Sequence, residues 1–495
     1  MHNREALAGL EPAALWAHFA EIAAIPRPSG QEAAAAAWLN EWAQRRGFAA
    51  RQDAAGNLCI RVPASPGAAR APAVALQAHL DMVCVRAEGG ASDPAAGRIE
   101  IAREGEWIVA PESTLGADNG IGIAAALCAA ESEAVRHGPL ELLFTVQEET
   151  SFGGADALAP ALVSARLMLN LDAESISDLW IGCAGAGWSV LHLPLPEQAV
   201  PQGWPVAQIA LAGLTGGHSG IDIARGRLNA IKALVSLLRA LAGRGPVRLC
   251  ALQGGAAINA IPIHARAAIA LPAPDAAALE SWLKSARADL HARAAASDPG
   301  LSLTCAWDPP APPACWGEAR QARLLDLLER LPSGVLGMEE QAPDLVATSS
   351  NLGIVAPKDG RLEVHSLSRS SFPEALQATL ASIEALAREA GAEFSIVPPV
   401  TPAWRADPDS PLLRTLQQAY RDLFQREPGL GTVHAALECA LFQQRLPGLD
   451  VVAIGPDIRR PHMPGERVSI PSVRMFYDLL AEVLGRLASG RAPGA

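Results

Sequence analysis

The sequence predicts an α/β fold: a discontinuous domain over residues 1–186 and 398–495, interrupted by an inserted α+β domain over 187–397. Three observations lead there. In the first part, short apolar β-rich runs alternate with helical periodicity, the pattern of a sheet covered on both faces. Near Gly187 the character changes, and the proline-rich run LHLPLPEQAVPQGWP marks a crossing between domains. A second such run, VPPVTPAWRADPDSP at 397–411, precedes a return of strand and helix alternation. A chain of 495 residues is also too long for one ordinary core.

The elements follow in order. From 12 to 47 the periodicity is helical, with Leu15, Phe19 and Ile22 on one face and Trp38 and Trp42 on the next. Strands are expected over 58–62, 74–78, 140–146 and 167–171, with a small-residue helix over 120–134. The insert carries strands over 207–211 and 265–270 and amphipathic helices over 276–294 and 372–387. Its successor holds a helix over 412–424, a strand over 451–454 and a final helix over 473–487.

Hydrophobic residues make up 50% of the chain and charged residues 19%, the balance of a packed globule rather than a disordered polymer. The net charge of −12 disfavours nucleic acid and anionic membranes as partners. Eight scattered cysteines without a C-x-x-C pair fit reduced thiols, not a disulfide framework or a cysteine-ligated zinc. No basic-then-apolar leader opens the chain and no run of 18 apolar residues interrupts it, so a cytoplasmic location is expected.

Carboxylates and histidines gather where the predicted strands end. His79 follows the strand of AVALQAHLDMV, and Asp81, two residues on, can face the same side and orient the imidazole. Asp118 lies in the glycine-flanked turn TLGADNGIG, where it can cap a helix or leave its carboxylate free to bridge two cations. Glu148 and Glu149 end the strand of ELLFTVQEE; in extended chain they point oppositely, one toward a metal and the other toward a proton. Asp172 ends RLMLNLD, and His462 sits in a loop after a strand. Loops that follow strands are where open α/β sheets bind ligands. Three carboxylates (Asp118, Glu149, Asp172) plus a hydroxide match the charge of two divalent cations, with neutral histidines completing the set. Nitrogen and oxygen donors without thiolate suit Zn2+ first, with Mn2+ or Co2+ as alternatives.

The motifs HLDMV, TLGADNGIG, FTVQEE, NLD and the late histidine resemble those of the aminoacyl-histidine dipeptidase family, also called cytosol non-specific dipeptidase or peptidase D. These are cocatalytic zinc peptidases related to carnosinases. The resemblance continues through WIGCAGAG, LTGGHSGIDIARGRLNA, GGAAINAIP, ATSSNLG, RSS at 369–371 and HAALECALF, so it spans nearly the whole chain in order. It implies a catalytic domain with a mixed sheet flanked by helices, an inserted lid and dimerisation domain, and a homodimer. It further implies that His79 and Asp172 bind one metal, that Glu149 and His462 bind the other, and that Asp118 bridges them. Glu148 would be the general base acting on a metal-bridged hydroxide, with Asp81 behind His79. Substrate contacts fall to His218 as an oxyanion donor, Arg369 as a carboxylate grip, Asn259 as a neutral hydrogen-bonding group, and Glu438 as a partner for the free amine. The implied reaction is hydrolysis of unblocked dipeptides such as β-alanyl-histidine. HMP after the last ligand, Ala436, Ile258 and TPAW depart from the family pattern and bear on substrate preference.

Two other readings remain at this point: an amino-acid deacylase or carboxypeptidase of the same clan, and a non-catalytic peptide-binding dimer. A serine hydrolase is excluded because Ser219 in GGHSGID lacks the G-x-S-x-G elbow.

Overall fold

The computed structural model of the chain describes residues 2–294, 296–307, 314–340, 345–405, 407 and 409–490. It divides into two compact units, one of Met1–Gly182, Trp404–Thr432 and Leu437–Ala495, the other of Cys183–Ala403 and Val433–Ala436.

The first unit is a mixed sheet with helices against it. Its centre is three parallel strands, β1 (Val74–His79), β2 (Leu140–Thr145) and β3 (Leu167–Asn170), with β1 between the other two. All residues of β1 and β2 are buried, which is why both read as unbroken apolar runs. The Asp450–Ala453 strand extends the parallel set beside β3, and Leu58–Val62 pairs antiparallel with β2 at the other side. Between β1 and β2 runs helix α1 (Ala117–Glu131), whose small side chains are buried nearly throughout. The predicted helical stretch from 12 to 47 is two helices, Ala13–Ile22 and Ala33–Arg45. Pro26 and Pro28 interrupt it, since proline lacks the N–H and cannot continue an α-helix. Trp16, Phe19, Leu39, Trp42, Phe144, Phe476 and Leu480 belong to one continuous core. Each such side chain contributes about 1.5–3 kcal/mol on leaving water.

A separate four-stranded sheet orders Ile458–Arg459, Arg467–Ser469, Trp107–Val109 and Ala102–Glu104. Its first two strands form the hairpin whose loop carries His462. The final helix, Ile470–Ala488, starts directly after it, with the Ser469 hydroxyl accepting from Ser472 N–H as its cap.

The second unit is an antiparallel sheet with helices packed on it. The strand order is Ser302–Trp307, Val206–Ala212, Ala265–Ala270, Arg248–Gly254, Val346–Lys358, Arg361–Ser370, Gly185–Pro194 and Glu393–Thr401. The Ala230–Ala242 helix buries Ile231, Leu234, Val235, Leu238 and Leu241, a single face at helical spacing. Asn229 caps it by accepting from the N–H groups of Ile231 and Lys232. None of the eight cysteines forms a disulfide. Among the described residues no helix is long and apolar enough to cross a membrane.

Candidate metal centre

The C-terminal ends of β1, β2 and β3 deliver most of the site. His79 is the last residue of β1, and Asp172 lies two residues past β3. Asp118 stands at the start of α1 with non-helical backbone angles, directly after Gly116 in the left-handed region and Ala117. It does not cap the helix; its carboxylate is turned to the two histidines. The His79 Nε2 is 2.9 Å from Asp118 Oδ1 and 3.2 Å from Asp172 Oδ1. The His462 Nε2 is 3.3 Å from Asp118 Oδ2 and 2.9 Å from Glu149 Oε2. Asp118 thus offers one oxygen to each histidine, and two triads result: His79, Asp118 and Asp172, and Asp118, Glu149 and His462. Within each, one donor atom per residue lies within 4.8 Å of the others. His79, Glu148 and Glu149 meet the same condition.

Glu148 and Glu149 are not on extended chain. After β2 the backbone turns through Gln147 at φ 58°, and both glutamates open a short helix, α2 (Glu148–Ser151). Successive helical side chains diverge by about 100°, so the pair still separates, by rotation rather than by strand alternation. Asp81 holds this turn: its Oδ1 accepts from Glu148 N–H at 3.1 Å, and its Oδ2 from Glu149 N–H at 3.1 Å and the Ser29 hydroxyl at 2.6 Å. The His79 Nδ1 is nearer the Asp81 backbone carbonyl, at 3.1 Å, than the Asp81 carboxylate, at 3.5 Å. Behind His79 the Asp81 carbonyl makes the closer contact, while its carboxylate orders the two glutamates.

The electrostatics call for cations. Burial opposes charge on His79, yet Asp172, Asp118 and Asp81 hold its pKa well above the usual imidazole range. His462 is likewise pushed up to about 11, against burial, by Asp118 and Glu149. Burial and the neighbouring Asp118 raise Asp172 to about 6, with His79 opposing. Glu148 rises well above a normal carboxylate, first by burial and then by Asp172 and Glu149. The Glu149 Oε1 is buried with no hydrogen-bond partner. Carboxylates concentrated at low exposure with an orphaned oxygen need positive charge beside them. The donor set, two imidazoles and three carboxylates without thiolate, fits two divalent ions of the zinc, manganese or cobalt type.

A ring of polar side chains backs the ligands. Asn119 Nδ2 donates to Asp172 Oδ1 and, at 3.1 Å, to the Leu171 carbonyl. Gln77 Nε2 donates to Thr145 Oγ1 at 3.1 Å and to Glu438 Oε2 at 2.8 Å. Volume does not mark this site: a groove of about 700 Å3 lined by Asn3, Glu21, Trp38 and Arg98 contains none of these residues.

Comparison with known proteins decides the family. The profile of "Peptidase family M20/M25/M40" matches residues 75–486, which takes in all six residues of the centre. The chain belongs to this family. It is 37% identical over 478 residues to the cytosol non-specific dipeptidase of Escherichia coli (strain K12), covering 97% of this chain and 98% of that protein. The crystal structure of aminoacylhistidine dipeptidase from Vibrio alginolyticus superposes with a TM-score of 0.84 at 33% identity, covering 98% of each chain. Human carnosine dipeptidase 1 shares the fold, with a TM-score of 0.51 at 13% identity over 96% of each chain. The protein is therefore an M20 metallopeptidase with the mixed α/β fold of that family.

The second unit of this M20 chain holds its own polar cluster. His218 follows Gly216 and Gly217, both at positive φ (65° and 133°). Its Nδ1 accepts from Gly220 N–H at 3.2 Å and Ile221 N–H at 3.1 Å, so the proton sits on Nε2, which remains a donor. Burial, then Arg369, lowers His218 to about 4. Arg369, on the Arg361–Ser370 strand, is only 5% exposed, and its Nε has no partner. Burial pulls it down to about 10. His434 joins them, a residue the sequence motifs did not single out although HAALECALF contains it. Its Nε2 is 2.8 Å from Ser349 Oγ, its Nδ1 is buried without a partner, and burial with Arg369 lowers it to about 4. Asn259 has an exposed side chain, and its carbonyl accepts from Ser219 N–H.

Glu438 belongs to the first unit. It is 2% exposed, with Oε2 accepting from Gln77 and Thr145, and burial raises it to about 8. Its other oxygen, Oε1, is buried with no hydrogen-bond partner. Through Gln77 of β1 and Thr145 of β2 it joins the two strands behind His79.

Because His218 and His434 are held neutral, the unfolded chain takes up protons that the folded chain refuses between about pH 6.5 and 4. Their share of stability is complete above 6.5 and is lost as pH falls toward 4. Imidazole 13C–1H spectra of the protein are expected to show two histidines titrating near 4; midpoints near 6.5 for both would contradict this environment.

Proposed function

We propose that this M20 peptidase hydrolyses unblocked dipeptides, Xaa-His such as β-alanyl-histidine among them, as a cytoplasmic homodimer with two divalent cations, Zn2+ first and Mn2+ or Co2+ as alternatives. The observation that carries the reading is Asp118, shared between two histidine-containing triads with Glu148 beside them. Relatives named as dipeptidases over almost the full chain support the substrate class. Two cations bound there would polarise the scissile carbonyl and bring a water's pKa to near neutrality.

The chain's own residues do the rest. Glu148 takes a proton from the attacking water and passes it to the leaving amine, and its desolvated carboxyl is suited to both steps. Asp81 fixes Glu148 and Glu149 by their N–H groups and keeps His79 in one tautomer through its carbonyl. His218 contributes a neutral Nε2–H donor for the developing oxyanion, and Arg369 a buried guanidinium, its Nε without a partner among the described residues, for a dipeptide's C-terminal carboxylate. Asn259 adds a neutral contact.

A panel of β-alanyl-histidine, other dipeptides and N-acetyl amino acids tests the reading with metal-reconstituted protein. Turnover of the free dipeptides is expected; activity confined to the acetylated series would assign a deacylase instead. Arg369→Met should raise KM for dipeptides about 10- to 100-fold, the loss of a charged hydrogen bond, and leave the hydrolysis of dipeptide amides unchanged. An equal loss on acids and amides would remove Arg369 from carboxylate recognition.

A further inference from the structure

We propose that Glu466 and Arg27 are positioning residues that grip Gly116 from opposite sides and thereby fix Asp118 between the His79 loop and the His462 loop. The inference rests on the reading of Asp118 as a carboxylate shared by two cations.

Glu466 lies four residues after His462, in the same hairpin, and is 2% exposed. Its Oε2 accepts from Leu115 N–H at 2.8 Å and Gly116 N–H at 3.2 Å, and its Oε1 from Ala117 N–H at 2.9 Å. These are the three residues before Asp118. Glu466 therefore takes the place of a helix cap for α1 and leaves Asp118 free of that task. The backbone of the hairpin is also tied to Ala110, directly after the Trp107–Val109 strand, through Ala110 N–H to the Glu466 carbonyl and Gly465 N–H to the Ala110 carbonyl, both 3.0 Å.

Arg27 is completely buried and makes the complementary grip. Its Nη2 donates to the Gly116 carbonyl at 2.6 Å; its Nη1 donates to the carbonyls of Leu80 at 3.0 Å and Asp81 at 2.8 Å, immediately after His79. Gly116 is thus held by its N–H on a carboxylate and by its C=O on a guanidinium. Only glycine fits there: φ is 70°, and a Cβ would lie 2.6 Å from Arg27 Nη2 and 2.8 Å from Met82 Sδ. Two buried charges spent on backbone atoms of one turn are costly as fold supports, since apolar packing would serve as well. Their geometry has another consequence. Through Arg27 the distance from Asp118 to His79 is set, and through Glu466 the distance from Asp118 to His462, the two spacings a shared carboxylate must satisfy together.

Glu466→Gln keeps the shape but turns one acceptor oxygen into an N–H donor facing an N–H. Arg27→Lys keeps the charge but loses the two separate Nη donors that reach Gly116 on one side and Leu80 and Asp81 on the other. In each, the dissociation constant for the weaker-bound Zn2+ should rise about 10- to 100-fold, measured by calorimetric titration of chelated protein. The exchange coupling between two bound Mn2+ ions, read by EPR, should shift from the wild-type value. A merely structural role would lower the unfolding temperature and leave both readouts unchanged. Folded variants that bind two ions with wild-type constants and coupling would overturn the proposal; if Glu466→Gln does not fold, Arg27→Lys decides. A wild type that binds fewer than two ions defeats the shared-carboxylate reading itself, and this inference with it.

Discussion

Glu148→Ala is expected to lower kcat on dipeptides about 10³-fold while leaving bound metal nearly intact. The reason lies in the division of labour at the start of α2. Glu149 directs Oε2 at His462, 2.9 Å away, and belongs to a triad with Asp118; Glu148 belongs to neither histidine–aspartate triad. Its backbone N–H, not its carboxylate, is what Asp81 uses, so truncation of the side chain leaves the turn in place. What disappears is a desolvated carboxyl able to take and return a proton. Steady-state kinetics together with metal analysis of the variant check this. Wild-type turnover would remove Glu148 from proton transfer, and loss of a cation would make it a ligand.

Asp118→Ala is expected to have the other large effect, with metal content below one ion per chain and turnover at background. Asp118 is the only carboxylate among the described ligand groups that stands in both histidine-containing aspartate triads, with an oxygen 2.9 Å from one imidazole and 3.3 Å from the other. Its removal leaves each remaining pair one donor short and three negative charges reduced to two. Mass-spectrometric metal counting on the purified variant is the check. Retention of two tightly bound ions would show that the triads are independent.

Much of this was legible in the sequence for a physical reason. Parallel strands of an α/β sheet are apolar on both faces, so a histidine or acid at the end of such a run stands out, as His79 and Asp172 do. The glycines around Asp118 announced a backbone turn in the same way. Conformation after the strand was less legible: the left-handed Gln147 that starts α2 carries no glycine, and the glutamate pair read as strand end. Glu438 was marked only by the family resemblance; its burial against Gln77 and Thr145 depends on partners 361 and 293 residues away. His434, Arg27 and Glu466 were missed for the same cause. Their partners are distant in sequence, and neither an isolated arginine nor a lone glutamate after a loop histidine has a spacing that marks it.

The reading of two cations shared across Asp118 meets its most direct test in a Zn2+ titration of chelated protein, following bound metal and β-alanyl-histidine hydrolysis together. Two ions per chain at saturation, with negligible turnover before metal is added, is the predicted result. Saturation at one ion, or full turnover by the metal-free chain, would contradict it.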